Sequence, residues 1–196
     1  MSAPLPPPDI GTREPDFAIL SRGATLERFY TLGHDPIYFD RTLSGRFNAP
    51  DGGYGVFYAA EYLAGAFVET FLRRPGRTLL PLDILRRKGR VRLRVTRDLT
   101  LVRLTGTGLA RLGATAEVAH GGLPYDIPQA WSRALHDLPS KPDGIAYTAR
   151  HDDEMLCYAL FERPAPCVEE AKRETDIDQE WFWELAELYR VGIAPS

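Results

Sequence analysis

Residues 44–74 read SGRFNAPDGGYGVFYAAEYLAGAFVETFLRR, and the order of signals along them decides the fold. Pro50, Asp51, Gly52 and Gly53 make a strong turn signal. Val56, Phe57, Tyr58 and Ala59 form a short apolar run bounded by that turn, as an interior strand does. From Glu61 to Arg74 the period turns helical, with Leu63, Ala66, Phe67 and Phe71 on one side at i, i+3, i+4 and i+8. Pro75 and Gly76 then stop the helix. A loop arginine (Arg46), a strand tyrosine (Tyr58) and a helix glutamate (Glu69) are so gathered into one unit, beside turn chemistry that suits an anionic ligand.

Working outward, residues 1–15 are rich in proline and read as a polyproline-like, disordered leader. Residues 16–196 then form a single domain. Residues 26–30 nearly alternate apolar and polar and read as its first strand. Residues 90–95 alternate strictly, with Val91, Leu93 and Val95 on one face and Arg90, Arg92 and Arg94 on a solvated basic one. Residues 99–104 give another strand. Gly106-Thr107-Gly108 lacks the lysine and further glycine of a phosphate loop and reads as a turn, with a short helix near 109–112. Residues 127–138 form a helix with Trp131, Leu135 and Leu138 aligned, and residues 145–148 a strand. Residues 155–161 are the longest apolar run and read as a fully buried central strand. Residues 175–189 make an amphipathic helix with Trp181, Leu185 and Leu188 aligned and Asp176 at its start. Trp181, Phe182 and Trp183 cannot all face one core, so at least one lies near the surface. Short strands before and after interspersed helices imply an α+β fold: a mixed or mostly antiparallel sheet core with surrounding helices.

The totals narrow the function classes. The chain has 196 residues, 44% hydrophobic and 26% charged, with net charge -3. That suits one domain with one sizeable core. With a pI of about 5.8 there is no basic field to draw nucleic acid or an anionic membrane. No apolar run approaches the roughly 20 residues of a membrane span. Two cysteines, Cys157 and Cys167, without a secretory segment, fit a reduced cytoplasmic setting. The four histidines are scattered, so no zinc spacing appears, and no metal is expected. Ser44, Ser132 and Ser140 lack the glycine framing of a nucleophile elbow. Taken alone, Glu69 reads as a surface helix carboxylate paired with Arg73 at i+4.

A resemblance changes that weighing. LERFYTLGHDPIYF, GRFNAPDGGYGVFYAAEYLAGAFVETFLR and DGIAYTARHDDEMLCYALFER resemble the RES domain family over about residues 26–163. That family is named for an arginine, a glutamate and a serine. The resemblance implies an ADP-ribosyltransferase-like fold and a cytoplasmic toxin that consumes NAD as substrate without a metal. ADP-ribose would pass to water, phosphate or a protein target, and an antitoxin protein would neutralise the toxin. By position it implies Glu69 and Arg46 as catalytic residues and Arg28, Arg46, Tyr58 and residue 149 as NAD-binding. Two guanidinium groups would hold the pyrophosphate, Tyr58 would stack on or line the nicotinamide pocket, and Glu69 would stabilise positive charge on the ribose.

One position departs: the family serine falls on Ala149. Loss of that hydroxyl costs about 1–3 kcal/mol if it orients a ligand. Two readings therefore stand, an active NAD-consuming toxin and a weakened module that holds NAD or an antitoxin without turnover. A toxin directed at nucleic acid is opposed by the acidic pI and the lack of a dense basic patch.

Overall fold

The strand expected at residues 56–59 is β3 (Val56–Ala60), and the helix after it is α1 (Leu63–Phe71). The computed structural model describes residues 3–73, 76 and 79–194, so the helix end read at Arg74 and the Pro75 stop lie outside the described residues. Around this unit come β1 (Phe17–Leu20), β2 (Thr25–Thr31), β4 (Leu79–Pro81), β5 (Lys88–Val95), β6 (Leu99–Arg103), β7 (Gly144–Ala149), β8 (Asp152–Phe161), β9 (Val168–Glu174) and β10 (Gly192–Ala194). The further helices are α2 (Asp83–Arg87), α3 (Thr107–Leu112), α4 (Glu117–His120), α5 (Asp126–His136) and α6 (Glu180–Leu188).

Eight strands form one sheet in the order β1-β6-β7-β8-β3-β2-β5-β9, and β10 pairs with β4 apart from it. Every neighbouring pair in the large sheet is antiparallel except β6 with β7. The fold is thus the α+β arrangement with a mostly antiparallel sheet.

Three residues join β5 to β6, yet the two strands stand near opposite ends of the sheet order. The sheet must therefore curl until they meet face to face. The inside of the curl is an apolar core of Leu26, Phe57, Val91, Leu93, Leu99, Leu101 and Leu160. The outer face packs against the helices through Phe67, Phe71, Trp131, Leu135, Phe161 and Phe182.

Details differ from the pattern reading. α6 starts at Glu180, and Asp176 instead accepts the Asp178 amide at 2.9 Å, an Asx turn before the helix. The buried stripe of α6 is Phe182 and Ala186, and Leu188 is exposed. Phe182 decides this by wedging edge-on against Phe67 and Phe71, at 5.5 and 5.6 Å between ring centroids. Trp183 is the exposed member of the aromatic triplet. The arginine face of β5 is covered at one point. Arg90 and Arg92 converge on the buried Glu27, and β9 closes the sheet beyond them. Residues 3–15 lie along the domain, where the Trp131 indole donates to Pro4 O at 2.7 Å and Arg13 to Leu112 O at 2.8 Å. Polyproline-like backbone suits the Trp131 contact because it makes no internal hydrogen bond that would occupy the Pro4 carbonyl.

The C-terminal end of α5 carries a titrating corner. His136 stacks on Tyr54 with centroids 3.9 Å apart. Its Nδ1 lies 2.7 Å from Asp137 Oδ1, and its Nε2 lies 3.0 Å from the Arg163 guanidinium. An arginine only donates, so Nε2 accepts and the proton sits on Nδ1. Burial, aided by Arg163 and Arg133 and opposed by Asp137, holds the ring below the usual histidine range. The folded chain therefore takes up this proton less readily than the unfolded one. Stability from this corner is complete above pH of about 6.5 and declines as pH falls through that value. The urea midpoint is expected to fall as pH drops from about 7 to about 5.5, and to fall less steeply in His136→Gln. Equal slopes in the two proteins would remove His136 from the explanation.

Candidate active site

A cavity of about 420 Å³ opens where two neighbouring strands part. β3 pairs with β8 along its whole length, and β2 pairs likewise with β5. Between β2 and β3 there is one register pair, Glu27 with Ala60. Past it the strands diverge, and the cavity is lined by Tyr58, Ala59 and Ala60, which is to say by both faces of β3. Arg28, next to Glu27, spans the gap. Its NH1 donates to Tyr58 O at 2.6 Å, and its guanidinium lies 4.5 Å from the Phe57 ring centre.

Burial brings the Arg28 guanidinium down to about 10, opposed chiefly by the charge of Asp40, and its Nε is buried without a partner. Lys88 and Arg73 also line the cavity. The Lys88 amine donates to Thr31 Oγ1 at 2.9 Å, and burial with the cations Arg28, Arg73 and Arg87 lowers its proton affinity. Among the described residues none of Arg28, Arg73 and Lys88 is ion-paired. Three cations that repel one another around one cavity favour an anionic guest.

The loop that carries Arg46 is clamped from two sides. Tyr58 Oη accepts the Phe47 amide at 2.8 Å and donates to Asn48 Oδ1 at 2.9 Å. Tyr58 therefore lines the cavity, and its hydroxyl is committed to the loop. From α5, Gln129 Nε2 donates to Leu43 O at 2.8 Å and to Gly45 O at 3.0 Å, and Ser132 Oγ donates to Phe47 O. A Cβ at Gly45 would collide with the Asn48 side-chain amide, so glycine is required there. Gln129→Ala strips the side-chain donor from two carbonyls, one of them at the buried Gly45. It is expected to destabilise the protein by about 1–3 kcal/mol in urea unfolding. An unchanged midpoint would show that α5 does not hold the loop.

Glu69 is placed otherwise than local spacing suggests. Its partners are not Arg73 but Arg46 NH1 at 3.8 Å, the Tyr147 hydroxyl at 3.3 Å and the Arg150 amide at 3.1 Å. The Arg46 side chain is 10% exposed. Burial works against its charge, but Glu69, with Tyr147, Tyr125 and Tyr58, outweighs this and raises its proton affinity. Its Nε is buried without a partner, its NH1 faces Glu69 beyond hydrogen-bond distance, and the Tyr125 ring lies 5.9 Å away. A guanidinium so enclosed, with donors unspent, is built to bind an acceptor.

The structure thus gathers Arg28, Arg46, Tyr58 and Glu69 around one cavity. Ala149 is fully buried in the helix-side core and is not in the cavity wall. The wall adds residues that the sequence reading left out, namely Tyr38, Arg73, Lys88, Tyr125 and Tyr147. Of these Tyr38, Arg73 and Tyr147 carried a signal, since each stands in one of the quoted segments, whereas Lys88 and Tyr125 lie outside them. Cys157 lines the floor, where burial pushes its thiol well up. Among the described residues no helix is long and apolar enough to cross a membrane.

The RES domain family model matches residues 26–184. The chain belongs to the RES domain family. The matched span of this RES protein holds all five positions discussed above, and it runs from β2 into α6. A chain in the crystal structure of the M. tuberculosis MbcT–MbcA toxin–antitoxin complex shares the fold. The TM-score is 0.66 at 18% identity, over 86% of this RES protein and 92% of that chain. No curated protein matches.

Proposed function

We propose that this RES protein is a toxin that cleaves NAD at the bond between nicotinamide and ribose and passes ADP-ribose to water, phosphate or a protein side chain. The observation that carries the reading is Arg46: a nine-tenths buried guanidinium with unspent donors, 3.8 Å from the Glu69 carboxylate. Cation and carboxylate side by side suit a substrate with a phosphate beside a centre that becomes positive. Arg28 and Arg46 take the pyrophosphate oxygens, with Lys88 and Arg73 supplying further positive charge at the cavity wall. Glu69 accepts a hydrogen bond from a ribose hydroxyl and faces the anomeric carbon. As the C–N bond breaks, its electron pair leaves with nicotinamide, which departs neutral, so no general acid is needed. The positive charge left on the ribose is stabilised by Glu69. The acceptor oxygen then bonds to that carbon and releases its proton to solvent.

Family membership and the likeness to a chain of a toxin–antitoxin complex support an antitoxin partner that silences the site. The cytoplasm, where NAD is at hand, is the compartment this reading requires. A second reading, a module that binds NAD or the antitoxin without turnover, is favoured by Ala149 alone.

Purified protein incubated with NAD, with and without phosphate, separates these readings when nicotinamide release and NAD binding are both followed. Release supports the toxin reading, and its dependence on phosphate identifies the acceptor. Binding without release leaves the binding module. Neither binding nor release would overturn the toxin reading and leave only a module that holds the antitoxin.

A further inference from the structure

Glu69 sits on α1, but nothing on that helix holds it. Among the described residues its hydrogen-bond donors both come from the end of β7: the Tyr147 hydroxyl on Oε2 and the Arg150 amide on Oε1. One donor on each oxygen fixes the plane of the carboxylate, with Oε2 toward Arg46. We infer that Tyr147 and the backbone amide of Arg150 are positioning groups that hold Glu69 in its working orientation, delivered by the irregularity at the end of β7.

Three observations carry this. Tyr147 is 2% exposed, and its ring packs edge-on against Phe47 at 5.1 Å between centroids. A phenylalanine would fill the same space, and a buried hydroxyl is costly unless it is paired. Its hydrogen-bond partner is Glu69, so the hydroxyl serves the carboxylate rather than the core. Second, the β7–β8 register jumps between Thr148, opposite Leu156, and Ala149, opposite Asp152. In an unbroken ladder strand amides point at neighbouring strands, and a break of this kind re-aims them. Here it turns the amide of Arg150 to α1. Third, Ala149 lies buried between the two donors. Glu69 is thus held on both oxygens without a hydroxyl at position 149.

The kinetic arm of the test rests on the NAD reading; the other arm does not. Tyr147→Phe keeps the packing and removes the donor. It is expected to lower kcat for nicotinamide release about tenfold or more, with KM for NAD within about twofold. The independent arm is a double-mutant cycle on urea stability with Tyr147→Phe, Glu69→Ala and both together. Coupling is expected, so that Tyr147→Phe shifts the midpoint in the presence of Glu69 and not in its absence. Additive midpoints would overturn the inference, as would a loss shared equally by kcat and KM or no loss of kcat. If the unaltered protein releases no nicotinamide, the NAD reading fails, and the cycle alone decides whether Tyr147 holds Glu69.

Discussion

Glu69→Gln is expected to slow nicotinamide release by two to three orders of magnitude, roughly the loss seen on removing one charge-stabilising group from an active site. Binding of NAD is expected to change by only about a few-fold. The amide still accepts the Arg150 N–H and fills the same space, so the cavity keeps its shape. What is lost is the negative charge facing the carbon that becomes positive, and that charge matters chiefly in the transition state. The effect therefore falls on kcat rather than on KM. Arg46 is affected as well. Burial works against its charge, and Glu69 is the foremost group that offsets this. The variant should accordingly melt at a lower temperature than the parent. Single-turnover release of nicotinamide measured beside NAD binding checks the claim. A variant with rates within about threefold of the parent would remove Glu69 from the chemistry.

Arg28→Met is expected to weaken NAD binding by about 10–100-fold while leaving the folded state as stable as before, or more so. Arg28 is brought down to about 10 by burial and has an unpartnered Nε, the signature of a cation held where folding alone would not place one. Methionine fills the gap between the strands and can still lie against Phe57. It forfeits the bond to Tyr58 O but also removes a desolvated charge. A bidentate or charge-assisted contact to a pyrophosphate oxygen has no substitute in a thioether. Calorimetric titration with NAD and urea unfolding on the same preparation measure both effects. Equal loss of affinity and stability would make Arg28 a structural residue instead.

The strand–helix unit at residues 56–71 was legible because turn chemistry, apolar run and helical period agree there. β1 and β9 were not. Phe17–Leu20 is too short to show a period. Val168–Glu174 is almost entirely charged, and it becomes a strand by pairing at the sheet edge with β5, where Glu174 meets Arg90. Charges on both faces are what an edge strand tolerates and what a pattern search discards. At the site, Arg28, Arg46, Tyr58 and Glu69 could be named from the resemblance, but their relations could not. Local spacing offered Glu69 a partner four residues on, whereas its donors stand 78 and 81 residues away. The commitment of the Tyr58 hydroxyl to the loop depends on Phe47 and Asn48, placed by a clamp from α5 that no periodicity announces.

The single register pair between β2 and β3 has a mechanical meaning. β1, β6, β7, β8 and β3 form one leaf, and β2, β5 and β9 form another. Glu27 with Ala60 is the ladder contact between them, and Arg28 is a tether alongside it. A guest that grips Arg28 on one leaf and Glu69, fastened to β7, on the other acts as a rivet through the seam. On the proposed NAD reading, a bound substrate would stiffen this seam, and a partner that pried the leaves apart would separate Arg28 from Glu69 without touching either side chain.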